Sequence, residues 1–222
     1  MNTEQARFNM IEQQIRPWDV LDPAILSLLA VVRREDFISP EHRSMAFMDV
    51  ETPLPTRGGE REFMLSPKLE ARLLQELAVH KHERVLEVGA GSGFMAALLS
   101  HQAQEVTTYE IRPELATFAA DNLRRAGIAN VSVVKGDGSG GEPSEAPWDA
   151  IMLSGSVSQV PQSLLRQLKV GGRLIAIVGE LPIMQATLFT RTDEESFLNV
   201  VMFDTVAPRL HGFGEPSAFR FN

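Results

Sequence analysis

The 222-residue chain contains no cysteine. That excludes disulfides, thiolate metal ligands and a cysteine nucleophile together, and it fits a reducing compartment. No stretch approaches about 18 uninterrupted apolar residues, so a membrane span is not expected. The opening MNTEQARFNMIEQQIRPWD lacks the charged-then-apolar order of a secretory signal. Positive charge is the minority: 21 Lys and Arg stand against 29 Asp and Glu, a net of −8. Such a surface repels phosphate backbones, so no nucleic-acid partner is expected. Repeats and low-complexity runs are missing too. With 44% hydrophobic and 23% charged residues, the composition predicts a globular, cytoplasmic protein with a sizeable core.

What is present is periodic. Phe8, Ile11 and Ile15 recur at helical spacing within residues 4–16. Asp22-Pro23 sets an N-cap before a proline at the first helical position, and Ile25, Leu26, Leu28, Leu29 and Val32 follow as an apolar face. Ser39-Pro40-Glu41 opens a shorter helix. Residues 51–66, with Pro53, Pro55, Gly58 and Gly59, read as a loop. Ser66-Pro67 then begins a helix through Leu69, Leu73, Leu74 and Leu77. Beyond it, strands at 84–88, 105–109, 131–134, 150–153 and 173–178 alternate with helices at 94–100, 113–126 and 164–168, the last stopping at Gly171-Gly172. Segments 185–190 and 197–203 read as sheet-edge strands joined at Asp193-Glu194. This order predicts an α/β fold: a Rossmann-like, doubly wound, mostly parallel seven-stranded sheet with an N-terminal helical lead-in. In such sheets the ligand lies at the carboxyl ends of the strands, at the switch point.

The chemistry begins there. Glu87-Val88-Gly89-Ala90-Gly91-Ser92-Gly93 follows the first strand of the alternating region and precedes a helix whose free N–H groups carry partial positive charge. A dinucleotide fingerprint needs its last glycine at position 94, which is Phe94. The spacing acidic-x-G-x-G-x-G is instead the pattern of methyltransferases that use S-adenosylmethionine (SAM). Glu110 ends the next strand, 23 residues after Glu87. It can accept both ribose hydroxyl hydrogens, or it is a solvated glutamate. Lys135-Gly136-Asp137-Gly138 follows the third strand; Asp137 can accept from an adenine amine, or it simply makes an Asp-Gly turn. Ser154 ends the fourth strand beside the same crevice. Ser154, Ser156 and Ser158 lack the elbow motif of a serine nucleophile. His80 and His82 have no thiol or carboxylate array around them, so no metal site is expected. Trp18 is either a packing anchor or part of a substrate pocket.

Together with Pro147-Trp148-Asp149-Ala150-Ile151, Val160-Pro161 and Gly171-Gly172-Arg173-Leu174, these motifs resemble the protein-L-isoaspartate O-methyltransferase family. The lead-in carries the resemblance further, through Met10-Ile11-Glu12-Gln13-Gln14-Ile15-Arg16, residues 22–26 and residues 32–40. It covers roughly residues 5–180. The resemblance implies SAM as cofactor, S-adenosylhomocysteine as product and no metal. It implies a helical lead-in at 1–55 packed on a SAM-binding domain at 56–222. It places Leu65, Glu87, Gly89, Ala90, Gly91, Ser92 and Gly93 at the cofactor, with Glu110, Ile111, Gly136, Asp137, Gly138 and Ser154. Ser66 is the implied catalytic residue. It aligns with the serine of the family's G-Q-T-I-S-Q-P loop, which contacts the cofactor and holds the substrate carboxylate. Here that loop reads Glu62-Phe63-Met64-Leu65-Ser66-Pro67-Lys68, with Glu60 just upstream. Acidic residues near a carboxylate acceptor are unfavourable unless Arg57, Arg61 or Lys68 compensates, and the replacement of the clamping residues by Glu62, Phe63 and Met64 predicts weak or absent turnover of isoaspartyl peptides. The tail past residue 205 also departs, with Ala207-Pro208-Arg209-Leu210-His211 in place of the family's apolar ending.

An ionised carboxylate needs no general base, so methyl transfer to it is an in-line displacement favoured by alignment and by removal of water. The expected acceptor is a protein or peptide carboxylate. The alternatives are a methyltransferase of the same lineage with another acceptor, such as a small molecule, and a SAM-binding protein without catalysis.

Overall fold

The computed structural model describes residues 2–57 and 61–214; Gly58, Gly59 and Glu60 lie outside them. The lead-in holds α1 (Thr3–Met10), continued by tighter and wider helical turns to Trp18, and α2 (Pro23–Val31). Asp22 caps α2 by accepting from the Ala24 N–H at 2.8 Å. A short 3-10 segment, Pro40–Met45, follows. The region read as a loop contains a two-residue antiparallel ribbon, β1 (Thr52–Pro53) against β2 (Phe63–Met64). Strands this short leave no period to detect.

Then come α3 (Pro67–Leu77), β3 (Arg84–Val88), α4 (Phe94–Ser100), β4 (Glu105–Glu110), α5 (Pro113–Arg125) and β5 (Val131–Lys135). The chain continues through β6 (Trp148–Val157), α6 (Gln162–Leu165), β7 (Leu168–Glu180), β8 (Ile183–Arg191) and β9 (Phe197–Thr205). The strands form one seven-stranded sheet in the order β5-β4-β3-β6-β7-β8-β9. Its first five are parallel; β8 and β9 are antiparallel. The helix expected at 164–168 is α6, and Leu168 already belongs to a strand, paired with Trp148. Gly171-Gly172 therefore does not stop a helix. Gly172 allows an irregularity in β7, where any Cβ would come within 3.0 Å of the Trp148 and Asp149 carbonyls.

Alternation along the buried strands divides the core. Ala150 and Met152 of β6 pack with Ile175 and Ile177 of β7 on one face, together with α2, α3 and α4. Ile151 and Leu153 pack with Leu174, Ala176 and the fully buried Trp148 on the other. The lead-in shares the first cluster: Met10, Ile15 and Phe37 lie in the same apolar body as Leu73 and Leu98. From β3 the chain builds outward to β5, then returns to place β6 on the other side of β3. That reversal opens a crevice at the carboxyl ends of β3 and β6.

Candidate active site

Two amides, Gly89 N and Ala90 N, donate to the Tyr109 carbonyl at 2.9 and 3.0 Å, which pins the glycine loop to the end of β4. Gly89 and Gly91 have φ of +98° and +53°, a conformation that favours glycine. Gly93 faces α5, where a Cβ would stand 3.1 Å from the Ala119 carbonyl.

Glu110 accepts from Gly91 N–H at 2.8 Å and from Arg112 N–H at 3.0 Å, one bond to each carboxylate oxygen. Each oxygen keeps a further acceptor site. Burial pushes the Glu110 carboxyl above the ordinary carboxylate range. Glu87 is different in kind. It lies wholly inside, accepting from Thr108 Oγ1 and Ser154 Oγ, each at 2.7 Å. It positions Ser154 and the loop from beneath. Asp137 makes the turn its Asp-Gly pair predicts, accepting from Ser139 N–H at 2.9 Å. Gly138 packs so closely on β4 that a Cβ would lie 2.7 Å from Tyr109 Cβ.

Burial also raises the Glu87 carboxyl to about 7, against the hydroxyl bonds that favour its charge. The folded state therefore holds a proton on Glu87 where the unfolded state has lost it, from about pH 4.5 to 7. Stability falls across that window as pH rises. Glu87→Gln removes the titration and keeps the shape. The variant should gain on the parent by up to about 3 kcal/mol between pH 5 and pH 8. Denaturant unfolding at both pH values checks this; parallel pH profiles would contradict it.

The crevice walls are Gly89, Gly91, Glu110, Ile111, Gly138 and Ser154, with Leu54, Glu62, Phe63 and Arg112 opposite. Behind it a smaller cavity is lined by Leu65, Ala90, Ser92 and Ser154. Of the positions expected at the cofactor, Glu87, Gly93, Gly136 and Asp137 do not line either space. Ser66 faces elsewhere. It caps α3 without a side-chain bond to the helix and lines a separate groove of about 790 Å³ with Trp18, Lys68 and Arg72. Trp18 is no packing anchor: it is 56% exposed, and Lys68 Nζ lies 3.9 Å from its ring centre. His80 and His82 stack on each other at 6.0 Å. Among the described residues no three His, Asp or Glu side chains are grouped to hold a metal.

Sequence reading missed the place of Arg112, Leu210 and His211 in the crevice. Glu62 Oε1 receives Arg112 Nε and His211 Nε2, each at 2.9 Å, which joins the loop before α3, the turn after β4 and the C-terminal segment. Leu210 reaches the glycine loop from that segment. The departure of the tail from the family pattern was visible, but nothing local in it indicates a contact across 149 residues.

The parallel sheet, the glycine loop at its switch point and the acidic residue closing the neighbouring strand define a Rossmann-like, SAM-dependent methyltransferase. The family model for protein-L-isoaspartate (D-aspartate) O-methyltransferase matches residues 5–206. The chain is 40% identical over 173 residues to a protein-L-isoaspartate O-methyltransferase of Methanoculleus marisnigri, covering 78% of this chain and 77% of that one. A Rhodopseudomonas palustris relative named protein-L-isoaspartate O-methyltransferase 1 is 43% identical, with 78% and 69% covered. A solved protein-L-isoaspartate O-methyltransferase superposes with a TM-score of 0.81 at 28% identity, over 95% of this chain and 66% of its own. A Plasmodium falciparum structure in complex with S-adenosyl-L-homocysteine gives 0.75 at 20% identity, over 95% and 98%, which supports the fold. The chain belongs to the protein-L-isoaspartate (D-aspartate) O-methyltransferase family.

Proposed function

We propose that the protein methylates the free α-carboxylate of isoaspartyl residues in proteins or peptides, using SAM, and that it does so in the cytoplasm. The observation that carries this is electrostatic. Glu62, whose charge argued against a carboxylate acceptor, is matched by Arg112 and His211. The compensating charge is that of Arg112 rather than of the Arg57, Arg61 or Lys68 considered above. Glu60 lies outside the described residues. The names of the relatives agree with this reading.

The crevice fits the cofactor in kind. Glu110 retains acceptor sites for ribose hydroxyls, and Gly89 and Gly91 let a ligand lie against the backbone. Ile111 and Gly138 line the same space, where an adenine would sit. Leu65, Ala90, Ser92 and Ser154 line the inner end, and we assign the methionine portion there. Bound SAM supplies an electrophilic methyl group. Phe63, Met64 and Leu65 shield that end from water, which strips the solvent shell from an incoming carboxylate. Ser66 and the groove it shares with Trp18 and Lys68 present the acceptor from the far side of the loop. Orientation and desolvation are the contributions of this chain; no residue needs to take a proton.

Incubation with labelled SAM and an isoaspartyl peptide tests the reading. Base-labile methyl ester should form on that peptide, and none on the normal aspartyl peptide. S-adenosylhomocysteine binding without ester would instead favour another acceptor or a non-catalytic cofactor-binding protein.

A further inference from the structure

The cofactor crevice is not open along its length. The chain leaving β9 turns back across the sheet. Ser156, wholly buried on β6, accepts Leu210 N–H at 2.9 Å, donates its own N–H to the Pro208 carbonyl at 2.7 Å and gives its hydroxyl to the Ala207 carbonyl. This bridge lays residues 207–213 along the line expected for the cofactor. Leu210 fills the end of the crevice at the glycine loop: its Cδ2 stands 2.7 Å from where a Cβ on Gly89 would be, and its Cγ 2.8 Å from that of Gly155. Gly212 rests on the other end, where any side chain would collide with the Asp137 carboxylate. Between them, His211 is held at the rim by Glu62. With Leu210 in place the crevice encloses about 70 Å³, whereas sites for small organic ligands run to roughly 300 Å³ or more.

Three observations therefore meet on one segment: a backbone anchor at Ser156, an apolar side chain on the glycine loop, and a polar clasp at the rim. We propose that residues 207–213 form an internal strap that competes with the cofactor for this crevice, so that binding requires Leu210 to leave Gly89 and Gly155. The inference rests on the assignment of the crevice to SAM. The glycine loop is shaped for close approach, and here the approaching group is the protein's own leucine. Asp137, the expected adenine partner, lies under Gly212 and turns its Oδ1 to Ser139. Apparent affinity is then the intrinsic affinity reduced by the fraction of molecules with the strap withdrawn.

Calorimetric titration of S-adenosylhomocysteine into the full chain and into Leu210→Ala tests it. The variant loses the plug and keeps the Ser156 anchor, so it should bind about threefold tighter or more. A second arm uses the absence of cysteine. Positions 155 and 210 are close enough for a disulfide, and no other thiol competes. In Gly155→Cys/Leu210→Cys, oxidation should weaken binding at least about tenfold against the reduced form of the same protein. Unchanged or weaker binding by Leu210→Ala, or equal affinity of the oxidised and reduced pair, would overturn the strap. Binding by neither the parent nor Leu210→Ala would remove the cofactor assignment and the strap with it.

Discussion

Arg34→Ala should cost about 3 kcal/mol or more at neutral pH, the largest single loss of stability expected outside the sheet. Arg34 is 1% exposed, and its guanidinium ties four parts of the chain together. Nε donates to Glu70 on α3 at 3.2 Å, one terminal nitrogen to the Ala46 carbonyl and the other to the Leu65 carbonyl at 2.8 Å. The guanidinium also stacks over Phe94 at the start of α4, 5.6 Å from the ring centre. Alanine would leave two carbonyls and a buried carboxylate without partners. Burial already pushes Glu70 up to about 7 against the pull of Arg34. Without Arg34 it takes up a proton at higher pH still. A folded state that holds this proton loses stability as pH rises above the unfolded value, so the penalty grows from pH 6 to pH 8. Arg34→Met/Glu70→Leu removes both charges and should recover part of the loss. Chemical denaturation of the three proteins at both pH values decides it. A single-variant cost below about 1 kcal/mol would show that the network contributes little. Leu65 lines the inner end of the crevice, so the same variant should loosen cofactor binding even where it remains folded.

The sheet was legible because its information is local. Val85-Leu86, Ala150–Leu153 and Leu174–Ile177 are apolar runs that only a strand covered on both faces can bury, and Gly and Pro mark where they stop. The glycine loop was legible for the same reason: its spacing is a backbone requirement written in consecutive residues. Arg34 was not, since an arginine after an apolar run reads as a helix end facing water. What buries it is the arrival of α3 and the Ala46 carbonyl, from 36 and 12 residues away. Glu62 was misjudged for a related reason. Its charge was countable, but its partners Arg112 and His211 lie 50 and 149 residues along the chain. The glycine pair in β7 looked like a helix stop because a bulge and a C-cap ask for the same residue.

Gly91→Val should weaken S-adenosylhomocysteine binding by about a hundredfold or more, close to 3 kcal/mol. Two effects act together. At φ +53° a β-branched residue is strained, at a cost of roughly 1–2 kcal/mol. Its side chain would also project into the crevice toward Leu54, whose Cδ1 lies 3.3 Å from the new Cβ. Relief of either contact moves the Gly91 amide, and with it the 2.8 Å bond that orients Glu110. The glycine loop thus controls the ribose ligand as well as the space. Strain and occlusion can be separated inside this protein. Gly127 has φ +73° and nothing within 4 Å of its Cβ position, far from the crevice. Gly127→Val should lose comparable stability and bind S-adenosylhomocysteine like the parent. Calorimetry beside thermal unfolding gives both quantities for each variant. If a folded Gly91→Val binds within about threefold of the parent, the loop does not approach the ligand, and the crevice between Gly91 and Glu110 is not where the cofactor lies.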